Sequence, residues 1–274
     1  MSYTTSVDGA VPIVIERLSV SYTSGSKPFL ALQDLSCTIA GSTFVALIGP
    51  SGCGKSTLLR ALGGLIAPSA GSIAIGGYSP ANARAAHMVS FAFQQPVLLP
   101  WQTARQNVEL PLRLFGWPAV RRRAAADHFL DLVGLGRFAD SYPAQLSGGM
   151  QQRVALARAL SFEPAVLLMD EPFGALDEIT RERLNVELLR IWSATRATVL
   201  FVTHSLNEAA FLADRVLVLT AQPGRIFADV PIALPRPRSA ELLEQTAFLD
   251  CVGELRRQLN RSYPRYTEEC GSDG

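Results

Sequence analysis

A glycine-rich segment in the first quarter of the chain has the residues needed to bind phosphate. Residues 49–57 have the sequence Gly-Pro-Ser-Gly-Cys-Gly-Lys-Ser-Thr, which fits the pattern GxxxxGK[ST]. In such a loop, backbone N–H groups surround the phosphates and the following helix directs its positive end at them. Lys55 would neutralise the β- and γ-phosphates, and Ser56 would ligate Mg²⁺. The predicted nucleotide-binding residues are Gly49, Pro50, Ser51, Gly52, Cys53, Gly54, Lys55, Ser56 and Thr57.

Two adjacent carboxylates further along the chain could complete this chemistry. Asp170 and Glu171 follow the apolar run Val166-Leu-Leu-Met, which is typical of a buried strand. Asp170 is predicted to hold the Mg²⁺ shell, and Glu171 to polarise the water that attacks the γ-phosphate. Many strands end in acidic residues, so this motif gains its meaning from the phosphate loop upstream.

The two motifs leave kinases, GTPases and many ATPases open, and a third motif decides between them. Residues 146–153 have the sequence Leu-Ser-Gly-Gly-Met-Gln-Gln-Arg. Ser147 and the two glycines would open a second helix, from Met150 to about Phe162, whose N-terminus could bind an anion. The segment resembles the signature sequence of the ATP-binding cassette (ABC) family. That resemblance implies that Ser147, Gly148 and Gly149 contact the ATP held by the opposite subunit of a dimer. Met150 stands where the commonest family signature has glutamine. Because Ser147 and the two glycines make the anion contact, ATPase activity is expected to be kept and only its fine tuning to differ.

Four further positions follow the family's order and take their roles from the resemblance. Tyr22 matches the aromatic residue that stacks on adenine, although an edge-strand aromatic would fit the pattern too. Gln94 matches the glutamine that senses Mg²⁺ and water, with Gln95 beside it as the alternative. Asp177 matches the loop that communicates across the dimer, and His204 the histidine that contacts the γ-phosphate. The predicted catalytic residues are therefore Glu171, His204, Gln94 and Lys55, and the predicted metal ligands are Ser56, Gln94 and Asp170.

The elements that must position these residues are those of an α/β fold. The continuous apolar run at 44–48 predicts a strand buried on both faces. Further strands are predicted at 166–169, 198–202 and 216–219, and helical periodicity occurs between them. Residues 96–162 lose the strand signals and predict helices. With the resemblance, the predicted fold is a RecA-like parallel-sheet core with an antiparallel β layer and an inserted helical subdomain. The predicted ABC ATPase domain spans 11–226, with core and β layer at 11–95 and 163–226. Residues 227–274 are predicted to be an extension without a separate domain.

The composition limits the classes of function. Of 274 residues, 48% are hydrophobic and the net charge is +1, so neither disorder nor a nucleic-acid partner is expected. The four cysteines form no CxxC pair, so neither a zinc site nor a disulfide framework is indicated. The chain start lacks the pattern of a signal peptide, and the apolar runs are too short to span a membrane.

The class of transporter is predicted from further resemblances. Residues 93–101, 223–226 and 234–238 resemble stretches of the importers for nitrate, taurine and alkanesulfonates. This implies a homodimeric ATPase beneath separate transmembrane permease subunits, peripheral on the cytoplasmic face of the inner membrane. A periplasmic solute-binding protein would be an indirect partner. The solute would be nitrate-, sulfonate- or pyrimidine-like. The apolar residues 97–101 are a candidate groove for the membrane subunit, with plain subdomain core as the alternative.

Other classes of function remain as competitors. An exporter ATPase shares all these motifs. A soluble ABC protein of translation or DNA repair usually has two cassettes or a coiled-coil insert, and neither is seen. A phosphotransferase would need an acceptor pocket, and a GTPase would need an NKxD motif, which this sequence lacks.

Overall fold

The computed structural model describes residues 10–24, 27–174 and 176–263. The strands are β1 (Ile13–Ser24), β2 (Lys27–Ile39), β3 (Phe44–Ile48), β4 (Ala70–Ile75), β5 (Val89–Ala92), β6 (Val166–Asp170), β7 (Thr198–Val202), β8 (Arg215–Leu219) and β9 (Ile226–Pro231). The helices are α1 (Lys55–Leu62), α2 (Pro80–Ala85), α3 (Ala104–Leu114), α4 (Ala119–Leu132), α5 (Gly148–Leu160), α6 (Glu178–Thr195), α7 (Leu206–Leu212) and α8 (Thr246–Ser262).

The strands form two sheets. The larger has the order β5-β6-β7-β3-β8-β9, with parallel pairing from β5 to β8 and β9 antiparallel at the edge. The smaller has the order β2-β1-β4 and is antiparallel. Because the carboxyl ends of β3, β6 and β7 lie side by side, the loops that follow these strands meet at one edge of the larger sheet.

The core lies on both faces of the larger sheet, which explains the continuous apolar runs. In β3, Phe44, Ala46 and Ile48 belong to one buried cluster, and Val45 and Leu47 belong to the other. The first cluster includes residues of α3 to α8, while the second joins the sheet to α1 and the antiparallel layer. A strand with helices or a second sheet on each side has no solvent face, so it needs no alternation of polar residues.

The middle of the chain is helical. Helices α3, α4 and α5 follow β5 and precede β6 in the chain, and they pack against one another. Thr103 starts α3 with a capping box in which Gln106 is the reciprocal partner. The helix predicted from Met150 to about Phe162 begins earlier and ends earlier, at Gly148 and Leu160, because Ser147 is its N-cap. Strand β5 ends at Ala92, two residues before Gln94.

The residues after 226 pack on this core. Strand β9 pairs with β8, and Phe248 and Leu255 of α8 are buried in the first cluster. Arg238 is buried and donates hydrogen bonds to the carbonyl oxygens of Ala210, Phe211 and Ala213 at the end of α7, and to that of Leu234. These carbonyls have no partner within the helix, so the guanidinium takes the place of a C-terminal cap.

Candidate active site

The phosphate loop connects the end of β3 to the start of α1. Its tightness depends on Gly54, whose φ is +98°. A side-chain carbon at this position would lie 2.5 Å from Leu32 Cδ2 and 3.0 Å from the carbonyl oxygen of Ala31. Only glycine combines this conformation with so close a neighbour. The loop is therefore fixed against β2, and α1 begins at Lys55 with its N-terminus facing the loop.

Lys55 lies back across its own loop. Its side chain is 5% exposed, and Nζ donates hydrogen bonds of 2.9 Å to the carbonyl oxygens of Gly49 and Pro50. These bonds hold the ammonium group, with its positive charge, in the concave side of the loop. Next to it, Ser56 Oγ donates to Asp170 Oδ1 at 3.0 Å, which joins the start of α1 to the end of β6.

Glu171 and His204 form a close pair where β6 and β7 end. His204 Nε2 lies 2.6 Å from Glu171 Oε1, and their side chains are 51% and 21% exposed. The backbone of Glu171 has a φ of +47°, and its N–H donates to the carbonyl oxygen of Val202. A left-handed conformation at a non-glycine residue is unfavourable and is often found at functional sites.

A cleft of about 230 Å³ brings most of the predicted nucleotide-binding residues together, although Gly49, Pro50 and Cys53 do not line it. Its walls include Ser51, Gly52, Gly54, Lys55, Ser56, Thr57, Glu171, His204, Tyr22, Phe29 and Ala31. Tyr22 lies on β1, and its hydroxyl donates to Thr57 Oγ1 at 3.2 Å. Phe29 is its cross-strand neighbour on β2. The cleft therefore has a polar end at the phosphate loop and an aromatic end at the antiparallel layer.

Gln94 lies in the segment after β5, beside the loop that follows Glu171. A side-chain carbon at Gly174 would be 3.5 Å from Gln94 Nε2. Gln94 is exposed and does not line the cleft.

Ser147 and Asp177 lie outside the cleft. Ser147 is the exposed N-cap of α5, where its Oγ accepts from the N–H of Met150 at 3.3 Å. Asp177 is the exposed N-cap of α6, where Oδ1 accepts from the N–H of Thr180 at 2.9 Å. This hydrogen bond, together with the other bonds at the cap, lowers the pKa of the Asp177 carboxyl. Like Gln94, the predicted site residues Ser147, Gly148, Gly149 and Asp177 do not line the cleft of their own chain.

Comparison with known proteins decides the family. The family model described as ABC transporter matches residues 32–174, which include the phosphate loop, the signature segment and both carboxylates. The chain belongs to the ABC transporter family.

Relatives with assigned names confirm the resemblance to importers. The taurine import ATP-binding protein of Mesorhizobium japonicum is 46% identical over 251 residues, covering 89% of this chain and 95% of that protein. The nitrate import ATP-binding protein of Synechocystis sp. is 46% identical over 249 residues, covering 89% and 93%. The predicted activity is confirmed at the level of the family: this is an ABC-type ATPase, which binds ATP and hydrolyses it to ADP and phosphate.

A solved structure confirms the fold. An ATP-binding cassette determined as a dimer in a post-hydrolysis state, bound to ADP and phosphate, is 33% identical, and the match covers 81% of this chain and all of that one with a TM-score of 0.72. The predicted RecA-like core, antiparallel layer and inserted helical subdomain are the parts of this ABC fold.

Two residues of the ABC ATPase join its loops and were not assigned a role from sequence. Gln152 of α5 is buried, and its Nε2 donates to the carbonyl oxygen of Pro172, next to Glu171. Arg158 of α5 donates to the carbonyl oxygens of Pro96 at 2.7 Å and Val97 at 2.9 Å, just after Gln94. One helix thereby holds both the segment after Glu171 and the segment after Gln94. Both side chains lie on the face of α5 that contacts these loops. A motif of consecutive residues does not show which residues share a helix face.

Residues 93–101, on both sides of Gln94, carry three exposed large apolar side chains in this ABC ATPase. Phe93 is 45% exposed, Val97 62% and Trp101 70%. The alternative that residues 97–101 are plain subdomain core is therefore wrong for Val97 and Trp101, although Leu98 packs against the core.

Among the helices of the described residues, none combines the length and the hydropathy needed to cross a bilayer.

Proposed function

We propose that the chain is the ATP-hydrolysing subunit of an importer that takes up a small solute through separate membrane subunits. The observation that carries the proposal is the division of the site within one chain. The phosphate loop, Glu171 and His204 line one cleft, while the anion-binding helix end at Ser147 is exposed elsewhere. A pair of chains would supply both halves to each nucleotide.

Within the cleft, each group has a role that follows from its place. Tyr22 stacks on the adenine, with Phe29 beside it, because aromatic rings provide flat faces for a base. The loop N–H groups and Lys55 hold the phosphates. In the closed dimer, Ser147, Gly148 and Gly149 bind the γ-phosphate of the partner's nucleotide, and Asp177 lies at the same interface.

The start of α1 and the end of β6 together provide two oxygen ligands that fit a magnesium ion. Ser56 Oγ and Asp170 Oδ1 are adjacent, and hydroxyl and carboxylate oxygens are the ligands that Mg²⁺ prefers. Gln94 could join them from the segment after β5. Mg²⁺ at such sites is usually held by one or two protein oxygens, and substrate phosphates and waters complete its coordination. When bound, Mg²⁺ would neutralise charge on the β- and γ-phosphates.

Hydrolysis then depends on Glu171 and His204. The Glu171 carboxylate accepts a proton from water as the water oxygen attacks the γ-phosphorus, and the bond from that phosphorus to the β–γ bridging oxygen breaks. His204 orients this carboxylate, to which it is adjacent, and contacts the γ-phosphate. Both products, ADP and phosphate, are anions and repel each other. Separation of the two chains then opens the site and releases them.

The solute stays open within a class. The named relatives transport taurine and nitrate, both small anionic or zwitterionic solutes, and the chain is equally similar to each. We therefore propose a nitrate-, sulfonate- or pyrimidine-like solute, delivered by a periplasmic binding protein. The chain would lie on the cytoplasmic face of the membrane.

The exposed apolar segment is the proposed contact with the membrane subunit. Phe93, Val97 and Trp101 follow β5 in direct sequence with Gln94, so movement of a docked partner would reach the cleft. Aromatic residues at the centre of an interface often contribute about 2 kcal/mol or more. We expect Trp101→Ser to reduce co-purification with the membrane subunits without changing ATP hydrolysis by the isolated chain. The control Leu249→Ser, at an exposed position of α8, should leave both unchanged.

The transport proposal is tested with the assembled complex in liposomes. The chain is purified together with its membrane subunits and reconstituted with them, and phosphate release is measured on the side of the vesicle membrane that carries the chain. An importer is expected to hydrolyse ATP faster when the loaded binding protein is added on the periplasmic side. Equal rates with and without that protein would contradict import.

A further inference from the structure

A buried carboxylate close to the active site has no part in the chemistry proposed above. Glu208 of α7 is 5% exposed, and its Oε1 has no hydrogen-bond partner among the described residues. Its Oε2 accepts a hydrogen bond from the hydroxyl of Thr203, the residue before His204. A charged group in such a place is unfavourable unless it is paired, and a packing position would be better filled by an apolar side chain.

The atom that faces the unpartnered oxygen is equally unpartnered. Arg181 Nε lies 3.8 Å from Glu208 Oε1 and has no hydrogen-bond partner of its own in the described part of the chain. This distance makes an ion pair but is too long for a hydrogen bond. A relative movement of α6 and α7 by about 1 Å would convert it into one, since N–H···O bonds have lengths near 2.9 Å.

Each member of the pair is connected to a different loop of the site. On one side, Thr203 Oγ1 donates to Glu208 and accepts from the N–H of Ser205 at 2.9 Å, so the carboxylate organises the turn that contains His204. On the other side, Arg181 donates through a second nitrogen to the carbonyl oxygen of Leu176 at 2.8 Å. The backbone N–H of Arg181 donates to the carbonyl oxygen of Asp177.

We propose that Glu208 and Arg181 are positioning residues that couple the His204 turn to the Asp177 loop. The inference rests on the proposed function, in which His204 meets the nucleotide of its own chain and Asp177 faces that of the partner. When the pair closes to a hydrogen bond, α6 and α7 move together, and the state of one nucleotide reaches the interface with the other. Such a link is made of two helices and one ion pair, and it needs no change in the rest of the fold.

The test compares Glu208→Gln, Arg181→Gln and the double variant in the full-length chain. Glutamine keeps the size of Glu208 and can still accept from Thr203, but it removes the charge. We expect each single variant to lower kcat for ATP hydrolysis about ten-fold, because a small misplacement of reacting groups has large kinetic effects. The KM for ATP should stay within about two-fold, since neither residue lines the cleft.

The double variant separates coupling from independent effects. If the two residues act through each other, its kcat should match that of the single variants within about two-fold. Losses that multiply, or a wild-type kcat in Glu208→Gln, would overturn the proposal. A fall in kcat accompanied by an equal loss of ATP binding would also overturn it, as that indicates a general structural role.

A matched ion pair serves as the control. Arg122 Nε and Glu109 Oε2 lie 3.7 Å apart between α4 and α3, and Arg122 Nε is similarly buried without a partner. Glu109→Gln should leave kcat unchanged. Glu171→Gln is measured in parallel: if it hydrolysed ATP normally, the proposed role of Glu171 in hydrolysis would fail, whereas the coupling of Glu208 with Arg181 would be judged by the double variant alone.

Discussion

Glu171 Oε1 and His204 Nε2 lie 2.6 Å apart, although 33 positions of the sequence separate the two residues. The parallel pairing of β6 with β7 explains this proximity, since the two residues follow adjacent strand ends. The pair faces the phosphate loop across the cleft. A proton acceptor is thereby held next to a group that can orient it.

Replacement of Glu171 by Gln tests the role of this carboxylate. The amide keeps the shape of the side chain but accepts a proton poorly, so we expect kcat to fall by at least about 100-fold. ATP binding should be retained, because Lys55 and the loop N–H groups are unchanged. Phosphate release and equilibrium binding of a fluorescent ATP analogue measure the two effects, with Glu244→Gln on the exposed surface as the control. Normal turnover in Glu171→Gln would show that another group accepts the proton.

Ser147→Arg tests whether the exposed end of α5 acts on the partner's nucleotide. We expect binding of ATP to the single chain to be nearly unchanged, since Ser147 lies outside that chain's cleft. In the Glu171→Gln background, which should accumulate the ATP-bound dimer, the added arginine should prevent dimerisation. Light scattering after gel filtration with ATP measures the mass. Ser193→Arg, at another exposed position, should still dimerise; a dimer formed by Ser147→Arg as well would contradict the divided site.

Tyr22 has a ring and a hydroxyl whose contributions can be separated. Tyr22→Ala removes the stacking face, and base–aromatic stacking is worth about 1–3 kcal/mol, so the KM for ATP should rise roughly ten-fold or more. Tyr22→Phe removes only the hydrogen bond to Thr57, and we expect a change within about three-fold. Initial rates over a range of ATP concentrations give both values. Equal losses in the two variants would assign the role to the hydroxyl instead.

The buried carboxylate of Glu208 should make stability depend on pH. Burial is the main cause that raises its pKa above 4.5; Glu171 raises it further, while Thr203 and Arg181 lower it. Below 4.5 the carboxyl is protonated in both the folded and the unfolded chain. As the pH rises, the unfolded chain loses the proton first, so the free energy of unfolding decreases until the pH passes the raised pKa of the folded state.

Glu208→Gln should remove this decrease. The Tm of the variant minus that of the wild type is therefore expected to grow as the pH rises above 4.5, as measured by calorimetry in buffers of equal ionic strength. Two Tm curves that stay parallel over this range would show that the carboxyl does not change its pKa on folding.

The motifs and the strands that carry them could be predicted from the sequence because each depends on adjacent residues. The phosphate loop needs glycines at fixed positions, and β3 needs apolar residues throughout because both of its faces are covered. The strand β9 was not predicted: Ile226–Pro231 alternates half-buried and exposed positions, and it contains Asp229 and Pro231, which are uncommon in strands. Its pairing with β8 depends on the rest of the fold, to which local patterns are insensitive.

The links between loops were hidden for the same reason. Gln152, Arg158 and Glu208 reach backbone or side-chain atoms far from them in sequence, and only the packing of α5, α6 and α7 brings these atoms together. The roles of Ser147 and Asp177 came from the family resemblance. A single chain cannot show them, since neither residue lines its own nucleotide cleft.

Arg238 has a consequence for how short this protein can be made. Its guanidinium satisfies three carbonyl oxygens at the end of the helix that starts directly after His204 and Ser205. Burial lowers the pKa of this group to about 10, which still leaves it protonated at neutral pH. Phe248 and Leu255 each add about 1.5–3 kcal/mol by their burial. An expression clone stopped at residue 226, where the sequence suggested the domain ends, would thus remove this support from the helix that follows His204, whereas a purification tag joined after residue 263 would leave it in place.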